Sequence, residues 1–269
     1  MNWVNNKAGE FWEEKIEKAD MNKILAHRYD YERNIIPTAD PVIILITTDV
    51  QKDYLVYTVR AHSLRASFLL DYGILSTPSD IMMLKGVRYI NPVDREYCAS
   101  YCLLDSGYRT AEMYEFATMN QGIVPLKGNE GKQRLPVTWQ EIKKYPGKEE
   151  DLIRPIKLMH VHSDFFKEQL MIHLSKGFDG EGNFNVNDAD WFLFRDVKAD
   201  YGRQLTGEVM IEDEDNKGRI KRYWKKLHDN HYFDCEVYQL AGRYIIQNDL
   251  QKLQEKRKPV EYVVEGAPR

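Results

Sequence analysis

Three aspartates interrupt apolar sequence at places where a carboxylate could do chemistry. Asp49 lies at the end of PVIILITTDV, Asp105 at the end of YCLLD, and Asp234 between Phe233 and Cys235 in NHYFDCEVY. A carboxylate at the end of a buried strand is costly unless something pairs with it. If the first two strands lie side by side and parallel, both acids reach one sheet edge. Asp234, about one turn into a helix, could then complete the group. Cleavage of a phosphodiester by two metal ions asks for such a set, because ions about 3.5–4 Å apart clamp the attacking and leaving oxygens. Oxygen ligands suit Mg2+ or Mn2+. For each acid taken singly, the alternative is a turn or a helix-dipole role.

Further residues extend or compete with this set. Asp53, four residues after Asp49, is an auxiliary metal or water-positioning acid, or a turn residue; Asp71 in LLDYG has a structural role in the sheet. Lys127 follows a short strand at the expected edge and either binds phosphate or is solvated. His160 and His162 alternate along a strand and so share a face, but no third ligand accompanies them. His228, His231 and Asp234 are spaced three apart, and nitrogen-rich ligation would favour Zn2+. That reading ranks below an all-oxygen site with His231 beside it. Lys217, Arg219, Lys221, Arg222, Lys225 and Lys226 cluster with Tyr223 and Trp224 interleaved, the pattern of a nucleic-acid backbone surface. The alternative is a solvated strand balanced by Glu212, Asp213, Glu214 and Asp215.

The elements that must position these residues follow from periodicity. Residues 7–27 read as an amphipathic helix and 28–41, with Pro37 and Pro41, as a linker. Three sequential strands then form an antiparallel meander with a turn near Leu64. Residues 76–97 read as a helix, SYCLLDSG as a buried strand, 109–120 as a helix and GIVPLKG as a short strand. Residues 128–153 read as loop. IKLMHVHS is a strand, followed by a helix with Asp164 as N-cap and Gly177 at its end. GEVMI and RIKRYWKKL flank a turn-rich segment and form a hairpin. HYFDCEVYQLAGRYIIQ is a final helix, and the charged segment after 249 frays. The sum is a mixed α/β sheet covered by helices, in the RNase H-like order.

Composition bounds the function. The chain has 269 residues, 43% hydrophobic and 30% charged, with formal net charge −4. Any hold on DNA must therefore use local basic patches rather than bulk charge. No apolar run approaches the roughly 20 residues that span a bilayer, and no secretory signal is visible. Three cysteines without a CxxC pair argue against a disulfide framework and for a reducing cytoplasm. A GxGxxG after the first strand and a G-x-S-x-G elbow are both missing, which removes the dinucleotide-binding and serine-hydrolase readings.

The segments TTDVQKDYLVYTVRAHS, LLDYG, LLDSGYRTAEMYEFA, IVPLKG, RQLTGE and NHYFDCEVYQLAGRY resemble successive motifs of the lambda-type phage terminase large subunits over residues 41–248. The resemblance implies an RNase H-like endonuclease that cuts concatemeric double-stranded DNA during packaging. Its metal-binding acids fall on Asp49, Asp105 and Asp234, holding two Mg2+ or Mn2+ ions. It further implies a small terminase subunit, an ATPase motor and a portal as partners, in the cytoplasm of the infected bacterial host. Residues 1–40 then correspond to a helical linker from the motor, 41–248 to the nuclease and 249–269 to a charged tail. Two departures stand out. There is no GxxxxGK[ST] motif, so no ATPase activity is expected of this chain. And Asn230-His231 stands where the family often has Asn-Glu.

Overall fold

The computed structural model describes residues 20–129, 133–214 and 220–256. Helix α1 (Met21–Ala26) is capped by the Asp20 carboxylate, which accepts from the Asn22 amide. Residues 28–36, read from the sequence as linker, lie against the sheet. Tyr31 and Ile36 are buried, the Tyr31 hydroxyl donates to the Leu69 carbonyl, and Asn34 donates to Leu70. The apolar content of the segment outweighs its turn residues. The helix expected over 7–27 lies mostly outside the described residues.

The expected meander follows as β1 (Ile43–Val50), β2 (Leu55–His62) and β3 (Ser67–Leu75), antiparallel throughout. β1 is buried from Ile44 onward, as an apolar run covered on both faces should be. The helix expected over 76–97 shrinks to α2 (Asp80–Gly86), whose first turn is held by Asp80 accepting from the Ser76 and Thr77 amides. The rest of that segment is a small hairpin of β4 (Tyr89–Ile90) and β5 (Glu96–Tyr97), turned by Asn91 and by Asp94 at φ +55°. Then come β6 (Ala99–Asp105), α3 (Thr110–Met119) and β7 (Ile123–Asn129).

The expected loop at 128–153 is corrected. It contains β8 (Val137–Lys144) and the start of β9 (Asp151–His162), paired antiparallel. β8 forms the sheet edge, and its polar sequence VTWQEIKK has the charged, mostly exposed character that edge strands carry. Helix α4 (Ser163–Ser175) is capped by the His162 ring, not by Asp164. After it come β10 (Trp191–Phe192), α5 (Ala199–Leu205), the expected hairpin of β11 (Glu208–Glu214) and β12 (Ile220–Lys226), and α6 (His231–Glu255). α6 runs eight residues past the expected end at 247, so the charged tail begins as helix.

The sheet order is β10-β3-β2-β1-β6-β7-β9-β8, with β6, β7 and β9 successively parallel to β1. An antiparallel meander joined to parallel strands at β1 is the RNase H-like order. Helices cover both faces. One core contains Leu103, Met159, Phe166, Trp191 and Phe233 under α4 and α6. The other contains Ile44, Ile46, Leu70, Ile81 and Met113 under α2 and α3.

Candidate active site

Side-chain alternation decides which way the strand-end acids face. Leu45 and Leu103 both face α6. At Gly242 of that helix an added Cβ would come within 2.5 Å of Leu45 Cδ1 and 2.8 Å of Leu103 Cδ1. Two and four residues on from Leu45, Thr47 and Asp49 share its face, and two on from Leu103 so does Asp105. Thr47 donates to the Cys235 carbonyl of α6 at 2.9 Å. β1 and β6 are parallel with Thr48 opposite Leu104, so Asp49 and Asp105 end neighbouring strands at one edge. The first turn of α6 supplies Asp234 to that edge. The three acids named from the sequence are thereby brought together from two strands and a helix.

The electrostatics agree. Burial pushes the Asp105 carboxyl up to about 6, with the Asp49 charge adding to the rise and the Gly107 amide opposing it. Burial also drives Asp234 well above the usual carboxylate range, and the charges of Asp49 and Glu208 push it further, against Lys167 and Lys226. Asp105 and Asp234 line an open pocket with Lys127, Lys167, Glu208 and Tyr238. Among the described residues, no three His, Cys, Asp or Glu side chains are already grouped as a metal cage. Oxygen donors that destabilise one another's charge suit a hard divalent cation, and in this respect the residues fit Mg2+ or Mn2+.

Neighbouring side chains fix the acids. His231 Nδ1 lies 2.7 Å from Asp49 Oδ2, and Gln51 donates to the same oxygen at 2.8 Å. The departure at 231 thus places an imidazole directly on a site acid. Asn230 donates to Asp234 Oδ2 at 3.0 Å. Asp53 is exposed in the β1–β2 turn, and its charge is felt by Arg109. Lys127 lies on β7 beside Tyr114 and faces the pocket. Asp71 accepts from Arg33 and Tyr57, a structural role as expected. His160 bonds Gln140 and Asn129 while His162 caps α4, so these two do not form a metal pair. His228 turns to Thr206 and the Asp229 carbonyl, away from His231 and Asp234.

The basic arm divides by alternation. Lys221, Tyr223 and Lys225 share one face of β12; Arg222, Trp224 and Lys226 share the other. Arg222 pairs with Glu212 at 2.5 Å across the hairpin, and Trp224 rests near Phe233. Lys217 and Arg219 lie outside the described residues.

Two buried ion pairs escaped the sequence reading. Arg60 Nε meets the Glu236 carboxylate at 2.9 and 2.7 Å, with both side chains fully buried. Trp191 and Tyr201 donate to the same carboxylate. This cluster locks α6 two residues beyond Asp234. The other is Lys167 with Glu208, 2.6 Å apart in the wall of the pocket. A signal existed for each: Arg60 breaks the apolar run of β2, and Lys167 falls in the stripe Ser163, Phe166, Lys167, Leu170, Leu174 that buries one side of α4.

The family model for the endonuclease domain of the terminase large subunit gpA matches residues 1–255. No curated protein matches the chain in sequence. Among solved structures, the large terminase nuclease of thermophilic phage G20c is similar at 15% identity and a TM-score of 0.40, over 81% of this chain and 95% of that one. Among the described residues, no helix is long and apolar enough to cross a membrane.

Proposed function

We propose that this chain, which belongs to the terminase large subunit gpA endonuclease family, cuts double-stranded DNA through a metal site on Asp49, Asp105 and Asp234. The observation that carries the reading is the convergence of these acids on one sheet edge, where Asp49 raises the protonation of both others. Two Mg2+ or Mn2+ ions held by Asp49, Asp105 and Asp234 would supply activation of water and neutralisation of developing charge. The chain's own residues do the rest. His231 and Gln51 fix the Asp49 carboxylate, and Asn230 fixes Asp234. Lys127 faces the pocket and takes a phosphate oxygen of the scissile strand. Lys221 and Lys225, with Lys217, Arg219 and Arg222, hold the flanking backbone. Asp53 sits near enough to Asp49 in sequence to serve as an auxiliary acid.

The biological substrate in this reading is concatemeric viral DNA in the cytoplasm of an infected bacterium. A small terminase subunit chooses the site, and an ATPase motor and the portal present the DNA. Residues 1–40 lead from the motor, with 28–36 of them packed on the nuclease sheet; 41–248 carry the rest of the nuclease, and 249–269 form a charged tail that begins as the end of α6. The chain alone turns over no ATP, because it carries no phosphate-cradling loop.

The test is plasmid nicking in Mg2+ or Mn2+, beside a four-way junction. Wild type is expected to nick the plasmid without choosing one sequence. Asp49→Ala, Asp105→Ala and Asp234→Ala are expected to lose nicking with unchanged circular dichroism. Full activity in any one variant removes that residue from the site. Preference for the junction would instead indicate a resolvase-type nuclease, and no metal-dependent cutting a DNA-binding domain only.

A further inference from the structure

A charged chain starts in the pocket wall and ends on one of the proposed metal ligands. Lys167 Nζ lies 2.6 Å from Glu208 Oε2. Glu208 Oε1 accepts from Asn230 Nδ2 at 2.7 Å, and the same amide nitrogen donates to Asp234 Oδ2 at 3.0 Å. An amide nitrogen has two hydrogens, so both are spent on carboxylates. Lys167, Glu208 and Asn230 are each at least nine-tenths buried. Trp224 covers the ammonium at 5.8 Å from its ring. Among the described residues the buried Asn230 side-chain oxygen has no hydrogen-bond partner, while the amide nitrogen holds two carboxylates.

This arrangement is asymmetric. Glu208 lines the pocket with Asp105 and Asp234 and is chemically able to be a fourth metal ligand. Yet both of its oxygens are engaged, one by an ammonium and one by an amide. We propose that Lys167 is a resident cation of the acidic pocket. It neutralises Glu208, reserves that carboxylate to hold Asn230, and through Asn230 aims Asp234. Lys167, Glu208 and Asn230 are then positioning residues that set how tightly the site takes a divalent ion. The proposal rests on the metal reading of Asp49, Asp105 and Asp234 given above.

Charge count tunes the affinity of oxygen-ligand sites for divalent ions, so the two halves of the pair carry opposite signs. Lys167→Met leaves Glu208 as an unpaired carboxylate facing the ligands, and Mn2+ binding should tighten by about tenfold. Glu208→Gln leaves the ammonium uncompensated beside Asp234, and binding should weaken by a similar factor, about tenfold. Lys167→Arg should stay near wild type. Asn230→Ala leaves the ion pair whole but frees Asp234, and should weaken binding by roughly fivefold through lost orientation. Asn230 makes no side-chain cap bond to α6, so that variant keeps the helix start intact and serves if a broken ion pair prevents folding.

The experiment is calorimetric titration of Mn2+ into the 269-residue wild type and these variants, with melting in EDTA to establish folding. Opposite shifts in Lys167→Met and Glu208→Gln, with loss in Asn230→Ala, support the inference. A scaffold without a role at the metal would move melting temperatures only. Shifts of the same sign, or an unchanged Asn230→Ala, overturn it. If wild type and Asp234→Ala bind Mn2+ identically, the metal reading itself fails, and that outcome is recognisable without reference to Lys167.

Discussion

Replacing Asp105 by Asn should make the metal-free protein more stable at pH 8, and the size follows from the site. Burial, reinforced by the Asp49 charge, lifts the Asp105 carboxyl from 3.8 to about 6. The folded state therefore binds this proton more tightly than the unfolded chain does. Stability falls with pH wherever the folded state holds more protons. The contribution is thus fully present below about 3.8 and is lost as pH rises through about 6. A rise from 3.8 to about 6 corresponds to roughly 3 kcal/mol at most, and relaxation of the carboxylate toward solvent lowers it. Asn resembles the protonated acid, and its oxygen can still accept from the Gly107 amide, now bonded at 3.0 Å. Urea denaturation of wild type and Asp105→Asn in EDTA, at pH 4 and pH 8, measures the difference. The variant should match wild type at pH 4 and exceed it by about 1–3 kcal/mol at pH 8. Adding Mg2+ should stabilise wild type alone and narrow the gap, because ligand linkage acts only where the ion binds. A variant less stable than wild type at pH 8, or a gap independent of pH, would refute the claim that Asp105 is held against its charge.

Other outcomes follow from the same geometry. Glu236→Gln or Arg60→Met leaves one buried charge unpaired and should cost about 3–5 kcal/mol in urea denaturation, while the double replacement by apolar residues recovers much of it. Gly242→Ala drives a Cβ into Leu45 and Leu103, which should cost about 1–3 kcal/mol and lower nicking by displacing α6. Replacing Lys221 and Lys225 together with Gln should weaken DNA binding and lower its salt slope by about two, with Mn2+ titration unchanged; unchanged DNA binding would make that face of β12 a solvated one.

How much of this could be read from sequence depended on whether the signal was local. β1, β6 and the meander were legible because long β-branched runs have one reading. Asp49 and Asp105 were legible because each ends such a run. β8 was missed since an edge strand carries the polar composition of a loop, and the hairpin at 89–97 was read as helix because two-residue strands have no period to detect. Glu208 carries no local signal of its own where RQLTGE runs into the strand GEVMI. Its place in the site depends on how the β11–β12 hairpin docks on α4, where its partner lies 41 residues away. Arg60 and Glu236 meet across 176 residues, a pairing that periodicity cannot carry.

That last separation has a consequence for how the enzyme comes into being. Asp49 reaches its imidazole partner across 182 residues, and Thr47 reaches α6 across 188. At about 5–20 residues per second of synthesis, the meander waits roughly 10–40 s on the ribosome before its covering helix exists. During that interval Arg60 has no counter-charge, and the face that α6 will cover is open. Loop closure over such a span makes docking of α6 a late event in folding. The edge that gathers Asp49, Asp105 and Asp234 is therefore completed by the same step that seals the core. A nascent or truncated chain lacking α6 holds Asp49 and Asp105 without Asp234, so under the proposed metal site it would cut no DNA.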